Sequence, residues 1–165
     1  MASEFQLTLD PNTVIREADG TLVPVGQPTN DSVWYAQWLA AGNVPDPVSA
    51  VSVAQQDYSA TLNAGVVITC ASTPAINGTY SISDSAISNI QAQQISILTK
   101  NQFTNGQTAR PWIDASGTIH IFPNTALFTE FAVAIGQYVD ALTMALATAE
   151  AGGGWAPPAQ PAELP

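Results

Sequence analysis

Over residues 5–24, apolar positions alternate with polar ones; beyond them the apolar spacing lengthens to three and four, so the chain opens extended and turns helical. Thr13-Val14-Ile15-Arg16 and Thr21-Leu22-Val23-Pro24 flank Asp19-Gly20, a hairpin signal. Pro24 and Pro28 stop the second strand from continuing. An isolated two-stranded hairpin is marginal in water, so this arm is expected to pack on something, another chain included. A short helix follows, with Asn30 or Asp31 as its expected cap. Trp34, Tyr35 and Trp38 fall three and four apart and therefore share one side of it. Gly42 suits the left-handed stop, and Pro45 and Pro47 forbid resumption.

Residues 48–63 predict a second helix, with Val48, Val51, Ala54, Tyr58 and Leu62 on its apolar face and Asn63-Ala64-Gly65 at its end. Beyond Gly65 the pattern reads hairpin, helix, hairpin, helix. Val66–Cys70 and Thr79–Ile82 are the first pair of strands. Asp84 is the expected cap of a helix running to about Lys100, with Ile87, Ile90, Ile97 and Leu98 on its apolar side. Trp112–Asp114 and Thr118–Phe122 flank an Ala115-Ser116-Gly117 turn. Pro123 and Asn124 open the longest helix, striped by Leu127, Phe131, Ile135, Tyr138, Leu142 and Leu146 through about Thr148. The expected class is α+β, with two helices on one small antiparallel sheet. The expected division is an extended arm over 1–28, a two-helix connector over 29–64, the α+β domain over 65–148, and a Gly/Pro-rich flexible tail over 149–165, jointed at Gly152-Gly153-Gly154, with Trp155 as either a tethering anchor or a plain exposed aromatic.

Charge narrows the choice of partners. Hydrophobic residues make up 46% of the chain and charged ones only 10%, well below the ~25% usual for globular domains. Polarity therefore rests on Ser, Thr, Asn and Gln, a surface suited to burial in an assembly, and a homo-oligomer is expected. Three basic residues, Arg16, Lys100 and Arg110, stand against thirteen acids, a net charge of −10 that opposes nucleic acid and anionic membranes. No apolar run of membrane-spanning length is read from the sequence, nor a signal peptide, so no membrane insertion is expected. Cys70 lies in an apolar strand and is expected to be a buried, inert thiol.

No catalytic constellation is expected, and the chain is read as non-enzymatic. His120 is the one histidine, placed by alternation on the face opposite Ile119 and Ile121, where a structural role is the simpler reading. Metal ligands are too dispersed to form a site, and no cofactor is expected. Two surfaces remain as binding candidates. Trp34, Tyr35 and Trp38 are candidate partner-binding anchors, because Trp and Tyr dominate interface energetics. Trp112, Asp114 and His120 are candidate receptor-binding residues for a surface glycan.

Two stretches also resemble phage proteins. Thr13–Gly20 followed by the Trp34–Pro47 segment, with its Trp38-Leu39-Ala40-Ala41-Gly42-Asn43-Val44-Pro45-Asp46-Pro47 run, resembles a hairpin and WLAAGN-x-P-x-P motif of small proteins encoded beside tail-fibre genes. Thr73-Pro74-Ala75-Ile76-Asn77-Gly78-Thr79-Tyr80, with Trp112, the Ser116-Gly117 turn, His120 and the long last helix, is similar to a domain of uncharacterised function common in tailed-phage tail proteins. The resemblance covers roughly 13–148, although the helix over Ile87–Leu98 matches by pattern alone. It implies a virion tail, fibre or baseplate component made in the host cytoplasm, with other tail or fibre proteins as partners. A tail-fibre assembly chaperone and a glycan-binding tip module are its alternatives. It brings no catalytic residues.

Overall fold

A computed structural model describes residues 3–165. The β-branched runs form strands as expected, and a third joins them: β1 (Phe5–Leu7), β2 (Thr13–Arg16) and β3 (Thr21–Pro24) make an antiparallel meander in that order. Val14 pairs with Val23 across β2 and β3, and both are buried; Ile15 and Leu22 pair on the outer face. Helix α1 (Asn30–Ala40) lies on the inner face. Its cap is Thr29, not Asn30 or Asp31: the Thr29 hydroxyl accepts the Ser32 N–H at 3.1 Å. Asp31 is occupied elsewhere, pairing with Arg16 at 2.8 Å. Gly42 takes the expected left-handed conformation (φ +87°). The chain then returns to β1, where Asp46 donates to the Phe5 carbonyl and accepts from the Leu7 N–H, both at 2.8 Å.

A second core begins with α2 (Ala50–Ala64), capped by Ser49. Tyr58 and Leu62 on α2 pack against a buried cluster that shares no residue with the first. Strands β4 (Val66–Ile68) and β5 (Gly78–Tyr80) pair, as do β6 (Arg110–Ile113) and β7 (Ile119–Phe122). The fold is α+β, but the one expected sheet is two separate two-stranded ribbons. A hydrogen bond from the Ala115 N–H to the Thr79 carbonyl (2.7 Å) ties them together. Helix α3 (Asp84–Lys100) is capped by Ser83 rather than by Asp84. It is rotated so that Ile90 and Gln93 are buried, and this leaves Leu98, expected on the apolar side, 81% exposed.

Helix α4 (Thr125–Glu150) is capped by Asn124 and buries Leu127, Phe128, Phe131, Ile135, Tyr138 and Leu142. Val133 and Met144 lie on its exposed side. By length and composition alone α4 is apolar enough to cross a membrane, with a mean hydropathy of 1.3 in its best window, a test that a core helix passes as well. Its buried residues are the main wall of the second core.

The segment expected to be a flexible tail is docked. Gly152 (φ +94°) donates to the Ala149 carbonyl and Gly153 to the Thr148 carbonyl, a paired helix-ending turn that reverses the chain. A Cβ at Gly153 would meet the Thr148 side chain at 2.8 Å, so the reversal needs glycine there. The returning segment sets Trp155 edge-on to Tyr58. Gln160 accepts from the Val67 N–H (2.9 Å) and donates to the Tyr138 hydroxyl (3.1 Å). Leu164 is buried in the core, and its N–H donates to the Thr69 carbonyl at 2.8 Å. The expected four-part division thus gives way to two modules, residues 3–46 and residues 50–165. The rings of α1 need Phe5, Val14 and Val23 beneath them, whereas the apolar face of α2 needs the second core.

Candidate functional site

The three rings of α1 do share one side, but that side faces inward. Trp34, Tyr35 and Trp38 surround Phe5 edge-on, with centroids 5.2, 5.0 and 5.1 Å away. Tyr35 is buried, and Trp34 and Trp38 are half-buried. These rings are therefore the core of the N-terminal module, and only part of either tryptophan remains for a partner. Phe5, the hub of the cluster, was not singled out in the sequence; its signal was the alternation through Phe5-Gln6-Leu7. Arg16 locks this module from outside. It pairs with Asp19 (2.6 Å) and Asp31 (2.8 Å), and its guanidinium lies 5.3 Å from the Trp34 ring centre. Its hydrogen bonds hold the Asp19 carboxyl well below the usual carboxylate range.

Trp112, Asp114 and His120 are brought together by the β6–β7 hairpin, in which Trp112 pairs directly with His120. All three are engaged internally. Trp112 packs edge-on against Phe128 (5.2 Å) and Phe131 (6.5 Å). Asp114 Oδ1 accepts from the Ser116 N–H, the Ser116 hydroxyl and the Thr118 N–H, closing the turn. Asp114 Oδ2 faces His120 Nε2 at 3.1 Å, and His120 Nδ1 lies 2.7 Å from the Ala75 carbonyl oxygen. Both ring nitrogens are thus occupied, and the Asp114 and His120 side chains are 8% and 9% exposed. The pair sits directly on the backbone of Gly78, where a Cβ would lie 3.1 Å from both Asp114 Oδ2 and His120 Nε2. The Ala75 carbonyl and then Asp114 raise the His120 pKa above its ordinary value. Hydrogen bonds from Ser116 and then His120 push Asp114 well below the carboxylate range. Burial, with the Asp114 charge nearby, holds the Tyr80 phenol above its usual value, and its hydroxyl donates to the Ile76 carbonyl at 2.6 Å. This cluster ties the two ribbons together. It leaves no base free to activate a nucleophile.

Two other features are open to solvent. Alternation puts His120 and Phe122 inside, so the opposite face of the hairpin carries Ile113, Ile119 and Ile121, which are 61–63% exposed, beside exposed Pro111. No charged side chain interrupts that face. Adjoining that face at Pro111 and Ile113, an open groove of about 430 Å³ is also lined by Ser81, Ser83, Ser85, Asn89, Arg110 and Trp112. Among the described residues no group of three or more His, Cys, Asp or Glu side chains is placed to hold a metal.

Comparison with protein-family models, with curated proteins and with solved structures finds no match to this chain.

Proposed function

We propose that this chain is a structural or adaptor component of a phage tail, tail fibre or baseplate, joining partners rather than transforming a substrate. The observation that carries the reading is the two-core architecture. Residues 3–46 and 50–165 each bury their own apolar cluster and are joined by a short connector containing Pro47, so each can present its own surface to a different partner. The hairpin, WLAAGN and C-terminal motifs supply the tail context.

Self-association belongs to the same reading. A molecule of net charge −10 repels its own copies, and the uncharged Ile113, Ile119, Ile121 face is where a second copy approaches at least electrostatic cost. Light scattering on the full chain is expected to report an oligomer, and Ile119→Lys with Ile121→Lys to shift it to monomer. An unchanged mass in the double variant removes this face from the interface. The tail role is tested by mass spectrometry of purified particles, where the chain is expected at a fixed ratio to tail proteins. Its absence from particles, with presence in assembly intermediates, would replace the structural role by that of an assembly chaperone.

A further inference from the structure

The basic residues of this chain are few enough to account for one by one. Arg16 is paired with two carboxylates, and Lys100 is an exposed residue in the last turn of α3, where a cation suits the helix end. Arg110 has neither explanation. It is half-buried, and among the described residues no carboxylate lies within ion-pair distance of it, although acids outnumber bases thirteen to three. Its Nε is buried without any hydrogen-bond partner. A guanidinium with one N–H buried and unsatisfied, and no carboxylate beside it, carries a cost that its own neighbours do not offset.

Its position is fixed by neutral groups. Nη1 donates to the Thr104 hydroxyl at 3.2 Å. That hydroxyl donates in turn to Gln93 Oε1 at 3.0 Å, and the same oxygen accepts the Thr104 N–H. Gln93 is 4% exposed, so the relay starts from a buried, rigid point. On the other side the guanidinium carbon lies 5.8 Å from the Trp112 ring centre. One hydrogen bond and one cation–π contact thus orient the guanidinium; with one Nη1–H used and the Nε–H buried, three of its five N–H donors remain to offer. Around it the groove offers the hydroxyls of Ser81, Ser83 and Ser85, themselves linked at 3.1 and 3.2 Å, and the carboxamide of Asn89. Asp114, the acid nearest Arg110 in sequence, is taken up by His120 and Ser116, and Asp84, between Ser83 and Ser85, lines a neighbouring groove.

We propose that this groove binds a carboxylate-bearing sugar. The planar guanidinium takes the carboxylate through paired N–H donors, a geometry that a point charge does not reproduce. The serine hydroxyls and Asn89 donate to and accept from the sugar's hydroxyl groups, and the indole edge of Trp112 borders the ring. The groove volume falls within the ~300–1,000 Å³ of small-molecule sites. This goes beyond the adaptor reading and does not depend on it.

The experiment titrates the full chain with D-glucuronate, following the Arg110 side-chain N–H and Trp112 indole signals by NMR; D-glucose, acetate and sulfate are the comparison probes. Glucuronate is expected to shift both signals saturably, with glucose, acetate and sulfate each at least fivefold weaker. Arg110→Gln is expected to lower glucuronate affinity at least tenfold. Asn89→Trp, at an exposed position of α3, fills the groove without touching the core and is expected to abolish binding. Equal binding of glucose removes the carboxylate from the recognition, and equal binding of sulfate or acetate removes the sugar; either overturns the proposal. Undiminished glucuronate binding in a folded Arg110→Gln or Asn89→Trp chain overturns it as well.

Discussion

The two modules meet the same demand, aromatic rings buried beneath very short strands, with unequal reserves. The N-terminal one rests on Phe5, Val14, Val23 and Tyr35, flanked by two half-buried tryptophans. The C-terminal one draws on both ribbons and on α4, with α2, α3 and the returning tail packed around them, its core running from Val66 to Leu164. Residues 3–46 sit close to the ~40-residue size below which a domain usually needs a staple. The Arg16 ion pairs and the rings around Phe5 act as that staple, each edge-on pair contributing about 0.5–1.5 kcal/mol beyond area burial. The larger module spreads its load over many contacts, so it can hold a group such as Arg110 that is not optimised for stability.

The sharpest way to break this contrast is Phe5→Ala. Losing a buried Phe costs about 3–5 kcal/mol, comparable to the whole stability of so small a unit. Residues 3–46 are expected to lose amide-exchange protection while 50–165 keep theirs. If both regions lose protection together, the modules are not independent. Leu164→Ala applies a deletion of about 2–5 kcal/mol to the larger core. Here the module is expected to stay folded and to lose only the seating of its tail, so limited proteolysis should cut near 155–163 while α4 remains intact.

The smallest and most selective effect comes from pH. His120 has a raised pKa, so its contribution is complete below about 6.5 and is lost as pH rises through the raised value. Asp114 and Asp19 have lowered pKa values, so theirs are complete above about 3.9 and are lost only as pH falls through the lowered ones. Raising the pH from 6 to 9 is therefore expected to lower the melting temperature of the C-terminal module and leave that of the N-terminal one unchanged. His120→Gln should remove the difference.

Periodic segments were legible in the sequence and parity-dependent details were not. All four helices follow from apolar spacing, and β7 follows from alternation. Alternation fixes which residues share a face but not which face is inside. At Ile119-His120-Ile121 hydrophobicity points one way and the structure goes the other, because Trp112, Phe122 and Asp114 already occupy the His120 side. The caps lie one or two residues earlier than expected, at Thr29 and Ser83, since neighbouring Ser, Thr, Asn and Asp are chemically equivalent candidates. The tail was illegible: its anchors, Trp155, Gln160 and Leu164, follow no period and take their meaning from β4 and α4. The candidate site was half legible. Trp112 was singled out, but its open neighbours are Arg110, two residues earlier on the same strand, and the serines, brought to it by the fold from the junction of β5 and α3.

The hydrogen bond between Leu164 and Thr69 places the last stretch of the C-terminal module beside its first strand. In topological terms that module is a nearly closed ring of chain, with its natural opening at the seam between β4 and the tail. Joining residue 165 to residue 65 through a few glycines and reopening the backbone at Asn105-Gly106, in the exposed loop between α3 and β6, gives a circular permutant of residues 65–165 that keeps the seam between β4 and the tail and dispenses with α2 and its Tyr58 and Leu62 contacts. The order in which its elements are synthesised would then be free to change while their arrangement stayed fixed.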